Sequence, residues 1–215
     1  MPHVTKITPQ KKSGRFNLFI DNKFIAGISA ETVIKEKLHV GINIGNEKLD
    51  IIFLKEQESK LLEKVLRFLG FRQRSEKEVA DYLFKKIAGE NSVKFNEAKE
   101  SPVAKRILIK LKKLRLIDDL EFAKWWVNAR SKRRGKVLIR AELIKKGIDR
   151  EVIEMTLNTL NNEATQAVNI LEKKIKAWSK LNKFELKKKA YSYLARRGFS
   201  PDKINDAIAF FFKKE

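Results

Sequence analysis

Cysteine is absent from the 215 residues, which removes disulfide frameworks, thiolate metal sites and thiol nucleophiles together and is compatible with a reducing compartment. Histidine is nearly absent. His3 and His39 lie far apart with no ligand-like spacing to carboxylates, so they read as surface residues rather than as a metal site or a general base. No apolar run approaches the ~20 residues of a membrane span, and the opening MPHVTKITPQKK lacks the apolar stretch of a secretory signal. A soluble, cytoplasmic protein is expected. Phosphate-cradling glycine runs of the GxxxxGKS/T and GxGxxG kinds are also missing, so nothing points to nucleotide hydrolysis. No cofactor is expected and no small-molecule substrate is indicated.

Acidic residues are in deficit. There are 48 lysines and arginines against 27 acids, a net charge of +21 and a pI near 10.0. A field of that size favours a polyanion, with nucleic acid as the default partner. The excess is spread along the chain instead of being gathered in a tail, which points to a long charged surface or groove. With 43% hydrophobic residues the chain can fold around more than one small core.

What the sequence does contain is a pattern spelled three times: LFKKI at 83–87, LIKKGI at 143–148 and LARRGF at 194–199. Each is a leucine, a variable residue, two cations and then an expected helix stop. After each stop a new helix carries Ile107, Ile153 and Ile204 in equivalent places, with Leu111, Leu157 and Ile208 one turn later on the same face. Upstream, Leu62, Val65, Leu66 and Leu69 are matched to Phe122, Trp125, Trp126 and Ala129. A third first helix around Ala167, Ile170, Leu171 and Trp178 matches less well. The expected fold is therefore mainly α: tandem three-helix repeats in an elongated array, over 57–117, 118–161 and 162–215.

Capping signals agree with these limits. Ser75 with Glu78 forms a capping box, Ser101-Pro102 and Ser200-Pro201 place a hydroxyl before an N1 proline, and Gly147 and Gly198 suit left-handed C-terminal caps. The polar loop 88–101 is an insertion relative to the second repeat. Residues 1–56 read instead as a small α+β region. Phe16, Leu18 and Ile20 alternate up to the turn Asp21-Asn22-Lys23, and Phe24, Ala26 and Ile28 alternate after it, which predicts a hairpin. Ser29 can then cap a short helix, while Ile42, Ile44 and the apolar residues from 49 to 54 offer one more strand or the entry to the first long helix.

Two clusters that resemble chemistry have structural readings. Asp118, Asp119 and Glu121 look like an acidic metal cluster but sit where carboxylates cap a helix start. Trp125 and Trp126 could stack on bases, yet adjacent helical positions point about 100° apart, so at most one faces the core, and the core is the expected place for it. Of the consecutive Phe210, Phe211 and Phe212, not all can face one core. Candidate polyanion contacts are the basic pairs Lys85-Lys86, Lys145-Lys146 and Arg196-Arg197 and the run Arg130, Lys132, Arg133, Arg134, Lys136 and Arg140, six cations within 130–140 with no acid among them. The pairs also complement helix C-terminal dipoles, and Glu142 is placed to pair with Lys146 at i,i+4.

The segment LIDDLEFAKWWVNARSKRRGKVLIRAELIKKGIDREVIEMTL at 116–157 resembles the RecX family. The matching elements are Asp118-Asp119, Phe122-Ala123, Arg130, Arg134-Gly135, Glu142-Leu143, Lys146-Gly147-Ile148 and Ile153. Weaker versions on either side extend the resemblance over about 58–215. It implies a nonenzymatic regulator that binds the RecA–DNA filament and single- and double-stranded DNA, restraining strand exchange and cleavage of the SOS repressor, with Arg130, Arg134, Lys145 and Lys146 at positions of the family pattern; a monomer is expected, since the array can work as one. Two other classes fit a basic helical chain: a sequence-specific DNA-binding regulator, which three similar units and no evident dimerisation element make less natural, and an RNA-binding repeat protein.

Overall fold

The alternating segments do form a hairpin. In the computed structural model, which describes residues 2–11, 14–160 and 163–212, β1 (Val4–Pro9), β2 (Arg15–Ile20) and β3 (Lys23–Ser29) make an antiparallel sheet in the order β1-β2-β3. Asp21 and Asn22 take φ of 46° and 66° at the β2–β3 turn, the left-handed pair that a two-residue hairpin needs and that Asp and Asn tolerate best. Strand β1 was not foreseen, because Val4 and Ile7 are out of period-2 step and the bulge between Val4 and Lys6 accommodates the slip. Residues 41–44 run alongside it as a single bridge, and the long helix begins at Asn46.

Ser29 caps α1 (Ala30–Lys35), its Oγ accepting from the Thr32 N–H at 3.1 Å. The helix α2 (Asn46–Gly70) covers one sheet face through Ile52, closing a core of Val4, Leu18, Ile20, Ile28, Leu38 and Ile44. Glu56, 3% exposed, fixes this packing: its carboxylate pairs with Arg15 and accepts the Ser29 N–H at 2.8 Å. Removing one partner of a buried ion pair strands the other. Glu56→Ala should therefore cost about 3 kcal/mol of stability in urea denaturation; a loss below about 0.5 kcal/mol would mean the pair is dispensable.

The first repeat uses α2, α3 (Glu76–Asn91) and α5 (Pro102–Lys113). Here one expectation fails. The helix does not stop after LFKKI, because Ile87, in the place where the other repeats have glycine after the basic pair, continues the apolar stripe of Val79 and Leu83 and is 3% exposed. Lys85 and Lys86 consequently lie inside α3 rather than in its last turn. The insertion after it contains α4 (Phe95–Ala98), which buries Ala98 and sets Phe95 edge-on to Phe84 with 6.0 Å between ring centroids.

The second repeat is α6 (Asp119–Ser131), α7 (Lys136–Lys145) and α8 (Arg150–Asn158); the third is α9 (Glu163–Ile175), α10 (Lys183–Ala195) and α11 (Pro201–Phe212), with a 3-10 turn Lys176–Trp178. Leu83, Leu143 and Leu194 are all fully buried, and Ile107, Ile153 and Ile204 are at most 1% exposed. In the first helices the match shifts by one residue: Val65 is buried and Leu66 is 44% exposed, so Val65 occupies the place of Trp126, not of Trp125. By contacts the chain forms two compact units, Met1–Arg72 with Val79–Lys113 and Gln73–Glu78 with Leu114–Glu215. No helix among the described residues is long and apolar enough to cross a membrane.

Candidate polyanion interface

The start of each middle helix receives the end of the next one. Ser75 Oγ donates to the Lys146 carbonyl at 2.8 Å, and in the same way the Gly135 N–H donates to the Arg197 carbonyl at 2.8 Å. In the Lys145-Lys146 and Arg196-Arg197 pairs the second cation adds a side-chain tie to its joint. Lys146 pairs with Glu78 and lies 5.2 Å from the Trp126 ring centroid, while Arg197 donates to the Arg133 carbonyl at 3.0 Å and lies 4.6 Å from the Tyr193 ring. The joint explains both glycines. Gly147 and Gly198 adopt φ of +78° and +81° to end their helices, and their missing side chains leave room for Lys77 and Leu138 respectively.

Glu142 is the anchor that sequence reasoning misassigned. Its partners are Arg134, Arg130 at 3.7 Å and the Trp126 indole N–H, which donates at 2.8 Å; Lys146 has gone to Glu78 instead. The signal was present, since Glu142 is the only acid between 130 and 148 and every cation of the α6–α7 turn competes for it. Trp126 is 8% exposed, with Arg130 stacked over it at 4.4 Å, so its face is occupied by protein. Asp118 accepts from the N–H groups of Leu120 and Glu121, and Asp119 from that of Glu76, so this acidic run caps helices. No group of three or more His, Cys, Asp or Glu able to hold a metal occurs among the described residues.

Arg140 is likewise engaged, in a two-pronged pair with Glu154 at 2.6 and 2.8 Å. The bonded guanidinium lowers the Glu154 pKa, and the carboxylate raises that of Arg140. A depressed carboxylate contributes stability above its unfolded pKa and loses it as pH falls through the folded value. The arginine's contribution stays in place at all pH values below its own ordinary range. Because the two side chains are 37% and 41% exposed, solvent screening holds the effect to about 0.5 kcal/mol. In thermal melts Glu154→Gln should be weaker than the parent by that amount near neutrality, and the difference should close as pH falls through the depressed Glu154 pKa.

The remaining candidates separate by exposure. Lys132, Arg133, Lys145 and Arg196 are exposed side chains with no acidic partner among the described residues, and the Arg133 to Arg197 bond brings the turn bearing Lys132 and Arg133 against the turn bearing Arg196. Lys136 is half-buried, its N–H donating to Glu163. In the other compact unit, Lys85 is exposed and Lys86 lies 5.5 Å from the Tyr82 ring.

A small antiparallel sheet joined to three-helix repeats whose inter-helix turns are strongly basic defines a repeat-built helical protein. Family models match it throughout: the regulatory protein RecX N-terminal domain at 2–45 and the RecX first, second and third three-helix domains at 62–93, 118–157 and 162–208. The chain belongs to the RecX family of regulatory proteins. It is 37% identical to the regulatory protein RecX of Bacillus subtilis over 97% of this chain and 76% of that one, and 28% identical to that of Clostridium botulinum over 97% and 95%. A crystal structure of regulatory protein RecX superposes with a TM-score of 0.72 at 23% identity over the whole of both chains, and RecX from Lactobacillus salivarius with 0.60 at 26% over 74% and 97%.

Proposed function

We propose that this chain is a nonenzymatic, monomeric modulator that binds the RecA–DNA nucleoprotein filament and restrains RecA's recombinase and coprotease activities. DNA phosphates are met by Lys132, Arg133, Lys145 and Arg196, with Lys85 as a further contact. The observation that carries the reading is the division of labour within the basic pairs of the second and third repeats. Lys146 and Arg197 are consumed in holding repeats together, whereas their neighbours Lys145 and Arg196 are exposed and have no acidic partner among the described residues. An exposed cation without an acid is free to displace counterions from phosphate, and its entropy gain drives binding. Family membership supplies RecA as the protein component.

The test is RecA's single-stranded-DNA-dependent ATP hydrolysis with this protein titrated in at fixed salt, beside a DNA-only binding curve. Inhibition well below the concentration that coats the DNA is expected. Inhibition that begins only when the DNA is saturated would reduce the protein to a general DNA-binding regulator.

A further inference from the structure

The geometry points to a second binding site in the third repeat: a trough between α10 and α11 that takes an acidic peptide segment carrying one bulky apolar anchor. The trough has a volume of about 510 Å³ and is lined by Phe184, Tyr191, Ile208 and Phe212 with Lys187 and Lys188 at its edge. Phe184 is 77% exposed and Tyr191 39%, an uncommon amount of aromatic surface to leave in water on adjoining helix turns. Among the described residues no acid lines the trough. The nearby Glu185 is committed to the capping box at Asn182, where its carboxylate accepts the Asn182 N–H.

Charge and shape together select the occupant. Lys187 and Lys183 place their ammonium groups 5.0 and 5.4 Å from the centroid of the Phe212 ring. That ring face is therefore covered by cations and is closed to a stacking base, while Lys187 and the exposed Lys188 beside it stand where carboxylates of a peptide crossing the trough would reach them. A concave apolar floor with a cationic rim receives a side chain between flanking acids, whereas base stacking needs an open platform. This site is separate in sequence from the cations assigned above to DNA, and its failure would leave that assignment standing.

The test uses the full chain and a labelled oligo-aspartate peptide with a single central phenylalanine, read by fluorescence anisotropy. Saturable binding is expected, weakened at least about tenfold by Lys187→Glu with Lys188→Glu. Phe184→Ser, a change at an exposed position, should weaken it as well, as should replacing the peptide's phenylalanine by alanine. Circular dichroism identical to the parent shows that the variants are folded. Equal affinity for the alanine peptide would reveal mere attraction to a chain of net charge +21 and overturn the proposal. So would unchanged affinity in both variants, or an oligothymidylate that displaces the peptide and loses affinity in the same variants, which would make the trough a nucleic-acid surface.

Discussion

Gly135→Ala should cost about 3 kcal/mol or more, a large loss for a single added methyl group. A Cβ at Gly135 would lie 2.3 Å from the Gly198 carbonyl oxygen and 2.6 Å from the Phe199 Cα, and both are backbone atoms that cannot rotate away. The contact is close because the Gly135 N–H donates to the Arg197 carbonyl at 2.8 Å and the Val137 N–H to the Gly198 carbonyl at 3.1 Å, so an added methyl must break both bonds to fit. Hydrogen exchange should show those two amides losing protection while the α6–α8 core of Phe122, Ile139, Leu143 and Ile153 keeps its own. Gly89 provides the opposite case. It lies within α3 with nothing within 4 Å of its would-be Cβ, so Gly89→Ala should stabilise by about 0.5–1 kcal/mol. Urea midpoints that move the same way for both variants would refute the role given to the joint.

The features legible in the sequence were those that repeat or that follow local rules. Leu83, Leu143 and Leu194 announced three middle helices because burial recurs at fixed places, and Ser29, Ser75 and Asp118 announced helix starts because a cap needs only its own neighbours. The joints were not legible. Whether Lys146 reaches Glu142 four residues away or Glu78 sixty-eight away is decided by which repeat packs where, and helical spacing carries no information about that. The same limit explains why Lys85-Lys86 matched the other basic pairs in letters and differs from them in place: a buried Ile87 extends α3 past the point where glycine ends α7 and α10. Five of the twelve candidate cations, Arg130, Arg134, Arg140, Lys146 and Arg197, bond to other protein groups through their side chains, and only three-dimensional packing separates them from the rest.

That sorting makes the second large prediction. Reversing Lys132, Arg133, Lys145 and Arg196 together to glutamate should lower DNA affinity by roughly 100-fold or more and flatten the salt dependence, since each phosphate contact contributes about 0.7–0.9 to the slope of log affinity on log salt. Melting temperature and helix content should stay within error of the parent, because all four side chains are exposed and have no acidic partner among the described residues. Net charge alone must be controlled for. A second variant reversing Lys173, Lys174, Lys176 and Lys180, which are also exposed but all lie in the third repeat, changes the total by the same amount at another place. If the two variants lose affinity equally, binding follows the diffuse field of the chain and the assigned residues have no special part. Arg133→Glu with Arg134→Glu is a poorer probe than the sequence suggests, because Arg134 pairs with Glu142, whose side chain is only 16% exposed. Losing that partner disturbs the α6–α7 turn, so a drop in affinity there would mix lost phosphate contact with lost structure. The four exposed cations separate the two: affinity should fall while the fold stays as it is.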